Sequence, residues 1–194
     1  MMVRHTAGRI LGAAGSCLCA LLVATGPAAA DGVIVAKSEI AFTTTQMGVA
    51  FDGHFRKWNA SIVFTPGALA TSRASIDVDL ASIDLASSDS EAEARGPLWL
   101  ETSRFPIAHF TSTSITSRGG DKYDVAGRLS LKGITRDCVV PIVVTRDSKG
   151  NRIAEGRFAV RRLDYRVGEG EWADTGTVAN DIIVRIRMVL PPAA

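Results

Sequence analysis

Between Val33 and Leu190 large apolar residues recur at every second position, and clusters of Gly, Asp, Ser and Pro break the alternation at short intervals. Successive side chains of a strand point to opposite faces, so this pattern buries one face of each strand and wets the other. Many short strands punctuated in this way make an all-β sandwich or barrel. The large residues fall on one parity in each run: Ile40 and Phe42; Val49, Phe51 and Phe55; Ile62 and Phe64; Ile76, Val78 and Leu80; Ala108 and Phe110 with Ser112; Tyr123, Val125, Leu129 and Leu131; Val140, Ile142 and Val144; Phe158 and Val160; then Ile182, Val184, Ile186, Met188 and Leu190. The opposite parity carries Asp52, His54, Asp77, Asp79, Arg128, Lys132, Arg157, Arg185 and Arg187, and reads as the wet face.

Three turn signals separate consecutive runs: Thr65-Pro66-Gly67, Arg118-Gly119-Gly120-Asp121 and Asp147-Ser148-Lys149-Gly150-Asn151. Hairpins in succession imply an antiparallel meander. Gly53, Gly127 and Gly156 occupy inner-parity positions, where they permit the bends and close approaches that barrel closure needs, so a barrel is expected rather than a sandwich. One segment breaks the pattern. Ser88-Asp89-Ser90-Glu91 matches a capping box and Gly96-Pro97 a stop, which predicts a helical crossover over 88–102 that carries Trp99 toward one mouth of the barrel.

Residues 1–30 read as a cleaved secretory signal: Arg4 and Arg9, an apolar stretch from Ile10 to Ala24, and small residues at Pro27-Ala28-Ala29-Ala30. The apolar run is shorter than the roughly twenty residues of a membrane span and is interrupted by Gly15 and Ser16. The mature domain, 31–194, is expected in the periplasm as a single domain. The chain has 22 Lys and Arg against 20 Asp and Glu, and the leader takes two of the basic residues, leaving twenty of each sign. That balance argues against a nucleic-acid partner. Of the cysteines only Cys138 lies in 31–194, so no internal disulfide is expected, and a small buried side chain is its plainest role.

Searches for chemistry return little. The sequence has no nucleophile elbow, phosphate loop or zinc-protease helix, and His54 and His109 both sit on outward parity without a short-spaced ligand partner, so neither a catalytic residue nor a metal site is assigned. Asp77 and Asp79 share one strand face and read as solvated. Arg162 is the anomaly, because it shares parity with Phe158 and Val160 and therefore points inward. An unpaired buried guanidinium costs several kcal/mol, which calls for Asp164, for escape to water at the rim, or for the oxygen of a ligand head group. Large aromatics are the other supply at inner parity: Phe42, Phe51, Phe55, Phe64, Phe110 and Phe158, with Trp58, Trp99, Phe105 and Trp172 near strand ends. They either fill a small barrel or line a cavity.

Several separated stretches carry a resemblance: Ser38-Glu39-Ile40-Ala41-Phe42; Met47-Gly48-Val49 with Phe51-Asp52-Gly53-His54-Phe55; Ile62-Val63-Phe64-Thr65-Pro66; Phe105-Pro106-Ile107-Ala108-His109-Phe110-Thr111-Ser112; the run from Tyr123 to Arg136; Arg162-Leu163-Asp164-Tyr165; and Gly168-Glu169-Gly170-Glu171-Trp172. In this order and spacing they resemble the YceI-like family of polyisoprenoid-binding periplasmic proteins. The resemblance implies a lipocalin-like eight-stranded antiparallel β-barrel, often dimeric, with an elongated pore for an isoprenoid lipid or a quinone. The Gly-Glu-Gly-Glu-Trp stretch looks like the branch that also occurs joined to cytochrome b-type membrane domains, which implies transient contact with a membrane or a membrane cytochrome. The chain departs from the family between Arg95 and Glu101, where Leu98-Trp99-Leu100-Glu101 replaces the usual aromatic and acidic pairing.

The expected function is a periplasmic carrier or binding protein without a resident cofactor, gripping a lipid tail by Phe42, Phe51, Phe55, Phe64, Phe110 and Phe158 and its head by Arg162 or the rim residues Trp99 and Trp172. Two other readings stay open: a stress-related interaction protein with a filled barrel, and an enzyme acting on such a lipid through Arg162, Tyr123 and Asp164-Tyr165. Outward Ile183 and Val189 point weakly to a partner surface such as a homodimer's.

Overall fold

The computed structural model describes Met1 and residues 31–192, so the expected leader, beyond Met1, lies outside the described residues. Eleven strands follow in chain order: β1 (Asp31–Gly32), β2 (Glu39–Gln46), β3 (Val49–Phe55), β4 (Trp58–Val63), β5 (Arg73–Asp79), β6 (Ile83–Asp84), β7 (Ile107–Gly119), β8 (Lys122–Leu131), β9 (Ile134–Arg146), β10 (Arg152–Arg161) and β11 (Asp181–Leu190). The helix α1 (Ser88–Arg95) lies between β6 and β7. All strands belong to one antiparallel sheet in the order β1-β4-β5-β7-β8-β9-β10-β11-β2-β3-β6.

That order dictates curling. β3 and β4 have seven strands between them in the sheet, which on a flat sheet would hold them roughly 40 Å apart. Yet only Arg56 and Lys57 connect them, a link that spans about 11 Å at most. The sheet therefore rolls up until its ends meet at this corner, where Arg56 N donates to Ser82 O at 3.1 Å and Asp79 N to Lys57 O at 3.0 Å. The all-β, barrel-like expectation holds, whereas the strand count of eight does not. The corner at Arg56-Lys57 splits one alternating run into β3 and β4, a helical turn at Leu80–Ser82 cuts β6 from β5, and β1 adds a short pairing to β4.

The parity expected from the sequence is the parity observed, with three exceptions. At a bulge between Ser112 and Ser114, Ser112 Oγ accepts from Ala74 N at 2.8 Å and does not line the interior. Lys132, expected on the wet face, is 7 % exposed: it occupies a left-handed turn position (φ 47°) with Gly133 (φ 75°) in the β8–β9 hairpin. Val189 is 1 % exposed because the segment before β2 covers it, with Ile34 N donating to Val189 O at 2.8 Å, so it offers no partner surface. Met47-Gly48 (φ 50° and 82°) makes a second tight hairpin of the same kind. Positive φ at both central residues is the type I′ signature, but Lys and Met are not the residues that announce it.

Inner glycines have a definite use. A Cβ on Gly53 would lie 2.4 Å from the ring of Phe42, one on Gly127 2.6 Å from the ring of Phe110, and one on Gly156 2.4 Å from Ile142. Gly53 directly faces Phe42 across β2 and β3, so the ring lies over the missing side chain and is laid into the wall instead of into the bore. Between β9 and β10 the ladder runs only from Arg152↔Arg146 to Gly156↔Ile142. It stops at Pro141, which has no N–H to give. Beyond that point the sheet forks, and Arg136 Nε reaches Asp164 O at 2.9 Å near the opening.

Replacing Gly127 by Ala puts a methyl 2.6 Å from both the Phe110 ring and the Thr111 carbonyl. The overpacking is expected to cost about 1–3 kcal/mol, read as a lower midpoint in thermal or urea unfolding. Gly67→Ala, with open space around it, is the control and is expected to leave the midpoint within about 1 kcal/mol.

Candidate functional site

The curled sheet encloses a cavity of about 930 Å³ whose wall is almost wholly apolar side chain. One end is shut. Phe64 and Tyr123 meet edge to face at 5.0 Å, with Met188 and Leu190 each 1 % exposed beside them. Arg152, also on the inner parity, lies at this end with 2 % exposure and donates to Phe64 O at 2.9 Å and Pro191 O at 3.1 Å. At the other end the cavity reaches the tip of the β2–β3 hairpin, α1 and the loop around Trp172. Among the described residues the bore is therefore closed at the Phe64 end, and the mouth lies at the other.

All nine sequence-predicted site residues line this cavity: Phe42, Phe51, Phe55, Phe64, Trp99, Phe110, Phe158, Arg162 and Trp172. Phe42 and Phe55 are in ring contact at 5.6 Å, and Trp99 and Trp172 at 5.5 Å across the mouth. The role expected of Arg162 needs correction. It is 1 % exposed, and its partners are main-chain carbonyls and not Asp164. The strand ends at Arg161, and the short helical turn Arg162–Tyr165 aims the guanidinium into the loop that follows. Nε donates to Ala179 O (3.0 Å), Nη1 to Val167 O (3.0 Å) and Gly168 O (2.9 Å), and Nη2 to Trp172 O (2.7 Å) and Val178 O (2.8 Å). A guanidinium has five N–H groups, so none is left to hold a ligand. The ring of Trp99 lies 5.7 Å from its carbon. Burial lowers the Arg162 pKa from its usual value, against the opposing charge of Asp174.

A second buried cation braces the same mouth. Lys132 Nζ donates to Pro97 O (3.0 Å) and Arg166 O (2.8 Å) and pairs with Glu169 at 3.3 Å. Gly168 N and Glu169 N both donate to Leu98 O, at 2.8 and 2.9 Å, and Trp172 Nε1 to Glu93 Oε1 at 3.1 Å. The segment after α1 and the 166–176 loop are thus stitched together. Within the expected 88–102 crossover the helix ends at Arg95 with Gly96 as its C-cap, at the stop expected of Gly96-Pro97, and the rest of the crossover is turns; the N-cap is Ser87, whose Oγ accepts from Ser90 N at 3.1 Å. Glu91 leaves the capping box for ion pairs with Arg56 (3.0 Å) and Arg95 (2.7 Å).

Thr44, Asp89 and Glu93 are among the lining residues that escaped the sequence reading. Thr44 continues the inner parity of Ile40 and Phe42, which was signal enough. Asp89 and Glu93 are four apart on α1 and share a face, but which face met the mouth was not legible. Thr44 is 6 % exposed, and its Oγ1, like Trp99 Nε1, is buried without a hydrogen-bond partner among the described residues. Tyr123 and Tyr165 supply no reactive cluster. Tyr123 packs against Phe64, and burial, the largest cause, pushes the Tyr165 phenol up to about 12. Burial likewise raises the thiol of half-buried Cys138, with Asp137 adding to it. On the outer face Asp77 bonds His109, whose Nε2 meets Thr111 Oγ1 at 2.5 Å, but this row is half exposed, on the side of the sheet away from the cavity.

Two substitutions separate structural from ligand-facing roles. Arg162→Lys leaves several buried carbonyls unpaired at about 1–3 kcal/mol each, and the midpoint of thermal unfolding is expected to fall by roughly 10 °C or more. Thr44→Val removes an unpaired buried hydroxyl at nearly constant shape. It is expected to raise the midpoint of ligand-free protein by about 2–4 °C.

Comparison with known proteins places this architecture. The YceI-like domain model matches residues 33–190. A UPF0312 protein of Shewanella denitrificans is 28 % identical over 160 residues, covering 80 % of this chain and 76 % of that protein. The crystal structure of BcnA from Burkholderia cenocepacia superposes with a TM-score of 0.78 at 32 % identity, covering 81 % of this chain and 98 % of that one. A polyisoprenoid-binding domain from Saccharophagus degradans implicated in plant cell wall breakdown shares the fold, with a TM-score of 0.67 at 15 % identity over 85 % of this chain and 99 % of that one. With the match running from just after β1 to the end of β11, the chain belongs to the YceI-like family.

Proposed function

We propose that the protein is a periplasmic binding or carrier protein that sequesters the tail of an isoprenoid lipid, or of a prenylated quinone, in its blind bore. The observation that carries this reading is the continuous apolar cavity of about 930 Å³, closed at the Phe64 and Tyr123 end by buried side chains. At about 30 Å³ per atom-sized volume it has room for roughly thirty carbons, or about six five-carbon units. Each unit would bury on the order of 100 Å² and contribute roughly 2–3 kcal/mol before ordering costs. A few units suffice for tight binding without one directional contact.

The polyisoprenoid-binding domain that shares the fold supports the same ligand class. The filled-barrel alternative requires a closed interior, and this interior is open. An enzymatic reading requires titratable groups grouped in the bore; the charged residues among its described lining are Asp89, Glu93 and Arg162, all at the mouth end. Such a protein binds and releases and makes no covalent change. A homodimer and a transient contact with a membrane or membrane cytochrome fit a carrier that must load and unload.

Native mass spectrometry of protein purified from its own host is expected to show a stoichiometric adduct that lipid extraction identifies as an isoprenoid. Val184→Trp, which projects an indole into the bore, is expected to abolish the adduct while circular dichroism stays unchanged. A clean ligand-free mass from gentle conditions would return the weight to an interaction protein.

A further inference from the structure

Resting on the lipid-binding reading, we infer that the mouth selects an uncharged head group, a prenol, phenol or quinone, and rejects a prenyl phosphate or diphosphate. The inference comes from the charges that face the opening. An anionic head needs free N–H donors on a cation, and the one cation among the described lining residues is Arg162. All five of its donors are spent on the carbonyls of Val167, Gly168, Trp172, Val178 and Ala179. Moving any of them to a phosphate would strip a buried carbonyl of its partner. Lys132, the other buried cation of this region, is spent in the same way on two carbonyls and Glu169.

The charged groups that remain among the described lining residues are acidic. Asp89 and Glu93 project from one face of α1 into the lining, and the formal charge of the described lining with Arg162 included is negative. Asp174 stands close enough to Arg162 to interact with its charge, which reduces what that guanidinium projects outward. A phosphate held here would sit beside two exposed carboxylates, whose repulsion acts through solvent and is strongest at low ionic strength. The buried polar groups in this wall that lack partners among the described residues, Thr44 Oγ1 and Trp99 Nε1, are neutral. A neutral oxygen asks no more of the wall than such groups, while the tilted Trp99–Trp172 pair offers apolar ring surface to a flat head.

The test compares probes that share one tail. Geranylgeraniol and geranylgeranyl monophosphate are titrated into the full-length mature protein by calorimetry, at low and at high ionic strength. The prenol is expected to bind about tenfold or more tightly than the phosphate at low salt, with the gap narrowing as salt screens the carboxylates. In the double variant Asp89→Asn, Glu93→Gln the gap is expected to shrink to about threefold or less; the introduced side-chain amide keeps an acceptor oxygen for Trp172, so the mouth stays assembled. Phosphate binding equal to or tighter than prenol would overturn the inference and leave the lipid-binding reading standing. A gap that persists unchanged in the double variant would overturn the assignment to these carboxylates. Binding of neither probe would overturn the lipid-binding reading and the inference with it.

Discussion

Arg162 is the piece on which the mouth depends. Strand β10 delivers a permanently charged group to a buried position, and the chain answers with five carbonyls drawn from Val167 to Ala179. Irregular backbone is costly to bury because its polar groups need partners. A guanidinium solves this for a whole loop at once, satisfying five acceptors that no strand reaches. The loop is thereby fixed over the end of the bore, Trp172 is placed against Trp99, and the backbone of Gly168 and Glu169 is set to bond Leu98. Lys132 repeats the device from the opposite side. The mouth is built around two cations that face carbonyls, and its outward electrostatics are left to the acids of α1.

An open interior rests on a different economy of space. Six phenylalanines at inner parity have the volume to plug a small barrel, yet the rings of Phe42 and Phe110 rest over Gly53 and Gly127 on neighbouring strands. Aromatic bulk becomes wall thickness. The shut end is made by true interdigitation, with Phe64, Tyr123, Met188 and Leu190 in contact. One barrel thus holds a packed core at one end and an unfilled lining toward the other.

Period-two alternation made the inner face legible nearly residue by residue, because parity is a local property that tertiary packing rarely reverses. Curling was legible through the inner glycines. Strand count was not, since a corner such as Arg56-Lys57 leaves the alternation almost unbroken while cutting the hydrogen-bond ladder. The role of Arg162 was half legible: its parity announced burial, but its partners are main-chain atoms of a loop whose path no side-chain pattern encodes. Lys132 misled for a related reason. Its alternation is that of a wet-face residue, and a left-handed turn position swings it into the protein. Asp89 and Glu93 were visible as one helix face, but the direction of that face was set by how α1 packs.

Pro141 gives the barrel a property that a fully laddered one lacks. Around most of the circumference neighbouring strands are fastened by backbone hydrogen bonds, so a change in girth would have to break them. Past Ile142↔Gly156 the β9 and β10 backbones are not so fastened, and the opening is bridged near the mouth by a side chain, Arg136, on the carbonyl of Asp164. The wall therefore has an expansion joint. Thickening of the contents strains side-chain contacts along this line, as along the seam where the sheet's two ends meet, and leaves the ladders intact, so part of the container's compliance lies beside the 162–165 turn that also anchors its rim.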